Sequence, residues 1–266
     1  MSSLNHDDVA VVREKLTFTN RRGEKLAALL ERPQAGVRAY ALFAHCFTCS
    51  KNIGTATRIS RALASRGFAV LRFDFTGLGN SEGDFANTNF SSNIDDLVAA
   101  ADYLRETYQA PEVLIGHSLG GAAVIAAASK IPEARAVVTI AAPSDPGHMR
   151  HLLRDRVAEI ESQGWAHVSI GGQQFTIRKQ FLDDVAEHSL VDALQHMDKA
   201  LLLLHSPKDK LIDIEHACHL FDAARQPKSI ISLDNADHLL NDPADAEYAA
   251  ETISAWASRY IGQATK

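Results

Sequence analysis

Six residues, Gly116-His117-Ser118-Leu119-Gly120-Gly121, constrain this chain more than any other stretch. They follow an apolar run, Val113-Leu114-Ile115, and precede an alanine-rich run over 122–130. That order reads as strand, sharp turn and helix. The pattern G-x-S-x-G in such a setting lifts a serine hydroxyl clear of a sheet. The serine then sits in a strained backbone conformation. Strand and helix run close together around it, and a side chain at Gly116 or Gly120 would collide. A helix starting at Leu119 aims its unpaired N–H groups and positive dipole end at the serine, so negative charge developing there is stabilised. Alone, the same residues would also suit a glycine-rich turn with a solvated serine, and the rest of the chain has to decide.

A chain of 266 residues suits one large domain or two small ones and can bury a substantial core. The formal charge of −6 argues against a nucleic-acid partner, because phosphate binding needs a basic surface. No apolar run reaches membrane-spanning length, so no membrane partner is expected. Residues 1–8 are polar and acidic, without the basic start and apolar core of a signal peptide. The three cysteines make no disulfide framework. The expected location is the cytoplasm.

Along the chain, 12–19 and 25–31 read as a hairpin turning at 20–23. Buried-type strands follow at 38–44, 68–73, 113–115 and 136–141, separated by helices over 52–66, 92–107 and 119–130. Alternation at this interval predicts an α/β fold, a mostly parallel sheet with helices on both faces, whose site lies at the carboxyl ends of the strands. The alternation breaks at about 144–198. Here a helical segment (148–163), a hairpin (165–170 and 173–178, turning at Gly171-Gly172) and a further helix from 180 predict a small cap insertion over the site. It resumes with a strand at 200–205, a helix at 214–225, a strand at 229–233 and a helix at 244–260. All of this is read as a single domain, 1–266.

A serine nucleophile needs a base to take its proton, and the base needs a carboxylate to orient it. In this architecture the chain order is serine, carboxylate, histidine. Asp209 follows the 200–205 strand and His238 follows the 229–233 strand, so the predicted triad is Ser118, Asp209 and His238. Asp213 is read instead as the cap of the next helix. Asp237 is read as structural, and His45 and His117 as loop histidines with ordinary hydrogen bonds. An oxyanion hole needs two N–H donors. Leu119 supplies one, and the loop His45-Cys46-Phe47-Thr48-Cys49 supplies the other, most naturally at Phe47.

With these residues in place, the chain resembles the α/β-hydrolase-fold serine hydrolases over essentially its whole length. That family shows an Asp-x-x-Gly-x-Gly-x-Ser run after the strand that follows the oxyanion loop, and here it reads Asp74-Phe75-Thr76-Gly77-Leu78-Gly79-Asn80-Ser81. More narrowly, the runs 45–51 and 81–93 resemble the hydrolase half of bacterial proteins in which this fold is fused to an OsmC-like thiol-peroxidase domain. The resemblance implies a functional link to an OsmC-like domain or protein, although no OsmC part is expected within these 266 residues. One departure is Cys46 where the family carries glycine. Its backbone rather than its thiol is expected to matter, with an ordinary φ. Cys46-x-x-Cys49 is either a redox couple or two small residues that pack well. Zinc lacks a second ligand pair.

The expected activity is therefore hydrolysis of carboxylic esters of short to medium acyl chain, through an acyl-enzyme on Ser118, with no cofactor and no metal. The same triad serves thioesters, amides, acyl transfer or perhydrolysis. Outside that class stand a thiol-redox protein using Cys46 and Cys49, and a non-catalytic scaffold.

Overall fold

The protein is described here from a computed structural model covering residues 10–170 and 172–262; the 1–8 stretch and Gly171 of the expected hairpin turn lie outside the described residues. In chain order the elements are β1 (Val11–Thr19), β2 (Lys25–Pro33), β3 (Ala39–Ala44), α1 (Gly54–Ser65), β4 (Phe68–Phe73), α2 (Phe90–Thr107), β5 (Val113–His117), α3 (Leu119–Ala127) and β6 (Ala136–Ile140). Then come α4 (Met149–Leu152), α5 (Arg154–Gln163), β7 (Trp165–Ile170), β8 (Gln173–Arg178), α6 (Lys179–Glu187), α7 (Leu190–His196), β9 (Ala200–His205), α8 (Glu215–Ala223), β10 (Lys228–Ser232) and α9 (Pro243–Ala257).

Eight strands form one sheet in the order β1-β2-β4-β3-β5-β6-β9-β10. β1 and β2 pair antiparallel, as does β2 with β4, and every later pairing is parallel. Strands β3, β4, β5, β6 and β9 are buried along their whole length, which is why they read as continuous apolar runs rather than alternating ones. Alternate side chains of β5 enter different cores. Leu114 packs with Leu97 of α2 and Val124 of α3 on one face. Val113 and Ile115 pack with Ile59 of α1 and Ile253 of α9 on the other. The parallel strands therefore deliver their carboxyl ends to one edge, where their loops converge.

Of the boundaries that differ from expectation, two have clear local causes. α2 starts at Phe90, because Asn89 caps it: the Asn89 side chain accepts the Ser92 amide at 2.8 Å while Ser92 Oγ accepts the Asn89 amide at 2.9 Å. The single helix expected over 148–163 is broken, since a 3₁₀ turn at Pro146–His148 precedes α4, and Leu153 separates α4 from α5.

The insertion folds as α4 to α7 with the β7–β8 hairpin between them. It is seated on the first turn of α2 and on the loop after β3 by polar and aromatic contacts. Asp184 accepts the Ser91 amide and hydroxyl at 2.8 and 2.6 Å, and Phe181 stacks on Phe47 with ring centroids 5.0 Å apart. Among the described residues no helix is long and apolar enough to cross a membrane.

Candidate active site

Between the end of β5 and the start of α3 stands a single residue, Ser118. Its φ of 56° and ψ of −127° are the strained geometry the motif demands, a conformation costing about 1–3 kcal/mol for a non-glycine residue. The flanking glycines are required by close approach. A Cβ on Gly116 would strike the Gly120 carbonyl, and one on Gly120 would lie 2.5 Å from the carbonyl oxygens of Ala44 and His45 at the end of β3. The Ser118 amide donates to the Ile140 carbonyl at 2.9 Å, tying the turn to β6.

The loops after β9 and β10 bring Asp209 and His238 to this serine. His238 Nε2 lies 3.0 Å from Ser118 Oγ, and His238 Nδ1 lies 2.8 Å from Asp209 Oδ2. An ionised carboxylate only accepts hydrogen bonds, so Nδ1 carries the proton and Nε2 is left to receive one from the serine. Burial alone would raise the Asp209 pKa. The bond from His238 and the amides of Ile212 and Leu211 outweigh it and hold the carboxyl below its ordinary value.

The rival residues have other partners. Asp237 accepts the amide and side chain of Asn241 at 2.9 and 2.8 Å, a bond closed within its own loop. The expected capping role of Asp213 is not met: α8 has Ile214 at its cap position with no side-chain bond, and it is the Asp213 carbonyl that receives the His216 amide. His45 donates from Nδ1 to the Cys46 carbonyl at 2.8 Å.

His117 does more than an ordinary loop histidine. Its Nε2 donates to the backbone carbonyl of His238 at 2.7 Å, and its ring lies 5.2 Å from that of His238. Full burial, with the nearby charge of His238 as a lesser cause, pushes its pKa down to about 3, so it stays neutral and does not compete as a base. Its adjacency to the serine in sequence was visible; the loop carbonyl it holds was not. His205 is likewise buried, bonded to the Ile212 carbonyl at 2.8 Å, and burial pushes its pKa down.

Leu119 is the first residue of α3, so its amide has no intrahelical partner. Among the described residues, neither its amide nor that of Phe47 donates to another protein group. The Phe47 loop is clamped at its far end. The Lys51 amide and Nζ bond to the two carboxylate oxygens of Asp74 at 2.6 and 2.5 Å, and Arg72 donates to the Lys51 carbonyl. Asp74 opens the 74–81 run, and Gly79 (φ +55°) is needed because a Cβ there would strike the Asp74 carboxylate. That run is thus the anchor of the proposed donor loop, a role sequence spacing alone did not reveal.

The loop's two cysteines are not separate packed thiols. Cys46 and Cys49 form a disulfide, with Cα atoms 5.4 Å apart, while Cys218 is free and exposed. The expectation of two independent small residues fails because the chain turns tightly here: the Cys49 amide reaches the Cys46 carbonyl at 3.2 Å, and Thr48 takes a positive φ of 61°. Cys46 itself is not among the positive-φ residues, as expected. The bridge closes the segment that carries the Phe47 amide. Opening it with a phosphine reductant, or by Cys49→Ser, is expected to lower kcat more than it raises KM. Losing one donor outright costs about 10²–10³ in turnover, which bounds the effect. Esterase turnover of both forms with and without reductant checks this, and unchanged kcat would mean the Lys51–Asp74 clamp suffices. Among the described residues no group of three or more His, Cys, Asp or Glu side chains is placed to hold a metal ion.

The sequence profile described as "Alpha/beta hydrolase family" matches residues 41–251. This chain is an alpha/beta hydrolase. Among solved structures, the hydrolase is similar to the esterase domain of a Rhodothermus marinus protein at 51% identity, covering 94% of this chain and 100% of that one with a TM-score of 0.78. A rat relative, the mitochondrial palmitoyl-protein thioesterase ABHD10, is 26% identical, covering 92% of this chain and 84% of its own. The solved mouse protein of that name shares the fold, with a TM-score of 0.77 at 23% identity, covering 92% of this chain and 99% of that one. The hydrolase thus has both esterase and thioesterase neighbours. Its Asp74 run and its serine turn both fall within the matched segment.

Proposed function

We propose that the hydrolase cleaves carboxylic esters of short to medium acyl chain through an acyl-enzyme on Ser118. The observation that carries this is the continuous chain from Asp209 Oδ2 through His238 to Ser118 Oγ, with bonds of 2.8 and 3.0 Å. His238 takes the serine proton as Oγ attacks the acyl carbon, and later gives it to the leaving alcohol. Asp209 holds the tautomer and stabilises the imidazolium. The amides of Leu119 and Phe47 are the groups assigned to the oxyanion. Water then attacks the acyl-enzyme with His238 again as base. The partner is a small ester rather than a macromolecule, and no cofactor enters the reaction.

A thioester is the second reading, favoured by the name of the rat relative. The runs 45–51 and 81–93 keep a functional link to an OsmC-like domain or protein as part of the proposal, and a cytoplasmic setting is a separate part of it. One experiment addresses the chemistry. The purified protein is treated with a fluorophosphonate, digested and mapped, then assayed on matched oxygen esters and thioesters of butyrate. The label is expected on Ser118 with faster turnover of the oxygen ester. A label elsewhere removes the nucleophile assignment, and faster thioester turnover selects the second reading.

A further inference from the structure

An apolar recess of about 270 Å³ lies against both residues assigned as oxyanion donors. Phe47 and Leu119 form one side of it, with Phe75, Leu78, Phe85 and Ala123 among the other walls. An acyl group whose carbonyl oxygen sits between the amides of Phe47 and Leu119 would extend from there along this surface. On the far side of Phe85 is a second, solvent-open hollow of about 150 Å³, lined by Ala86, Thr88, Thr176, Ile177, Arg178 and Phe181 as well as Phe85. Phe85 belongs to both linings and is the wall they share.

This wall is held from several sides. The ring meets Phe47 at 5.4 Å between centroids and Phe175 of β8 at 5.1 Å. Its backbone opens a 3₁₀ turn, Phe85–Asn87, capped by the Asp84 side chain on the Ala86 amide at 3.0 Å. The cap grips the same turn, as Arg178 donates to Asn87 Oδ1 at 2.6 Å and Gln180 to the Ala86 carbonyl at 3.3 Å. Two residues upstream of that cap, Glu82 donates to the Lys25 carbonyl and Gly77 to the Glu82 carbonyl, both at 2.9 Å. Ordered on both flanks, the ring is a fixed stop rather than a swinging gate.

From this geometry we infer that Phe85 sets the acyl chain length that the hydrolase accepts, by closing the recess beside the donors against the hollow behind it. The inference rests on the esterase reading. A methylene occupies about the share of liquid volume of a water molecule, roughly 30 Å³. Much of the 270 Å³ is open to solvent, so the enclosed part beside the donors takes only a short chain. A sixteen-carbon chain does not fit within it. Removing the ring frees the volume the ring itself fills and joins the recess to the second hollow. The occupant is a linear acyl chain, which suits the apolar side chains of Phe47, Phe75, Leu78, Phe85 and Leu119 that line the recess.

The test is a chain-length series of p-nitrophenyl esters, C2 to C16, on the wild type, Phe85→Ala and Phe85→Leu, with thermal melts of each. Phe85→Leu keeps an apolar contact and guards against a fold lost in Phe85→Ala. The wild type is expected to peak at or below C8. The C12:C4 ratio of kcat/KM should rise at least tenfold in Phe85→Ala and by an intermediate factor in Phe85→Leu, because each newly buried methylene is worth roughly fourfold. A wild-type peak at C12 or longer overturns the inference. So does an unchanged ratio in a folded variant that still hydrolyses the C4 ester. If none of the three turns over any ester, the esterase reading fails instead, and labelling rates with alkyl fluorophosphonates of graded length then read the wall directly: a wild-type preference for short chains that relaxes in the variants upholds it, and equal preferences overturn it.

Discussion

Ser118→Ala should abolish ester turnover and fluorophosphonate labelling while leaving the melting temperature near that of the wild type. The size of the loss follows from the role. Removing the nucleophile of a serine protease costs about 10⁶ in kcat, and what remains comes from binding and the oxyanion donors. The fold should survive because the hydroxyl contributes one bond, to His238, while the turn is held by backbone bonds from Ser118 to Ile140 and from Gly121 to Ser118 at 2.9 and 2.8 Å. The side chain is replaced, but the demand for φ of 56° stays, so the strain is not relieved as it would be by glycine. Retained turnover above about a hundredth of wild type, a loss far short of that precedent, would move the nucleophile elsewhere. Among the described residues two other serines meet a histidine without the same chain: Ser91 Oγ lies 2.9 Å from His188 Nε2, but Asp184 bonds the serine itself rather than the other nitrogen of His188, and Ser144 lies 2.9 Å from His216 Nδ1 with no carboxylate bonded to the opposite nitrogen.

How much of this was legible beforehand depends on which physical signal each feature carries. β4, β7, β8 and β9 have the bounds expected from sequence, because a buried strand is a nearly continuous apolar run, broken in β4 by Arg72, and a hairpin strand alternates between defined turns. The start of α2 was misplaced by two residues, since its signal is a reciprocal pair of side-chain bonds between Asn89 and Ser92 rather than hydrophobic periodicity. The residues that carry the candidate chemistry were visible as residue types at strand ends. Their supports were not. That His117 grips the His238 carbonyl depends on the path of a loop 121 residues away in sequence. The Cys46-x-x-Cys49 spacing read more readily as two packed thiols, and only the tight turn at Thr48 shows the sulfurs brought together. Phe85 reads as one aromatic residue in a loop, and only the meeting of that loop with β8 and the donor loop makes it a wall.

Asp209→Asn should lower kcat by about 10⁴, the loss seen when the same change is made in a serine protease triad. The local bonds indicate why an isosteric amide would fail so badly here. Asp209 Oδ1 accepts the amides of Leu211 and Ile212 at 2.8 and 3.0 Å, and both are donors that require an acceptor. In the variant the amide oxygen is therefore held by those two N–H groups, and the NH₂ is turned toward His238 Nδ1. A donor facing Nδ1 leaves that nitrogen unprotonated, so the proton sits on Nε2 and points at Ser118, where an acceptor is needed. Asp213→Asn provides the comparison. Its carboxylate makes no hydrogen bond among the described residues and influences His205 and His216 only through space, so less than about a tenfold loss is expected, in keeping with the small worth of exposed charges. The measurement is kcat for both variants on the same butyrate ester, with melting temperatures to show that both are folded. If Asp213→Asn proves the more damaging, the carboxylate has been assigned to the wrong residue. If Asp209→Asn keeps more than about a tenth of wild-type turnover, well above the protease precedent, the tautomer is held by something other than this carboxylate.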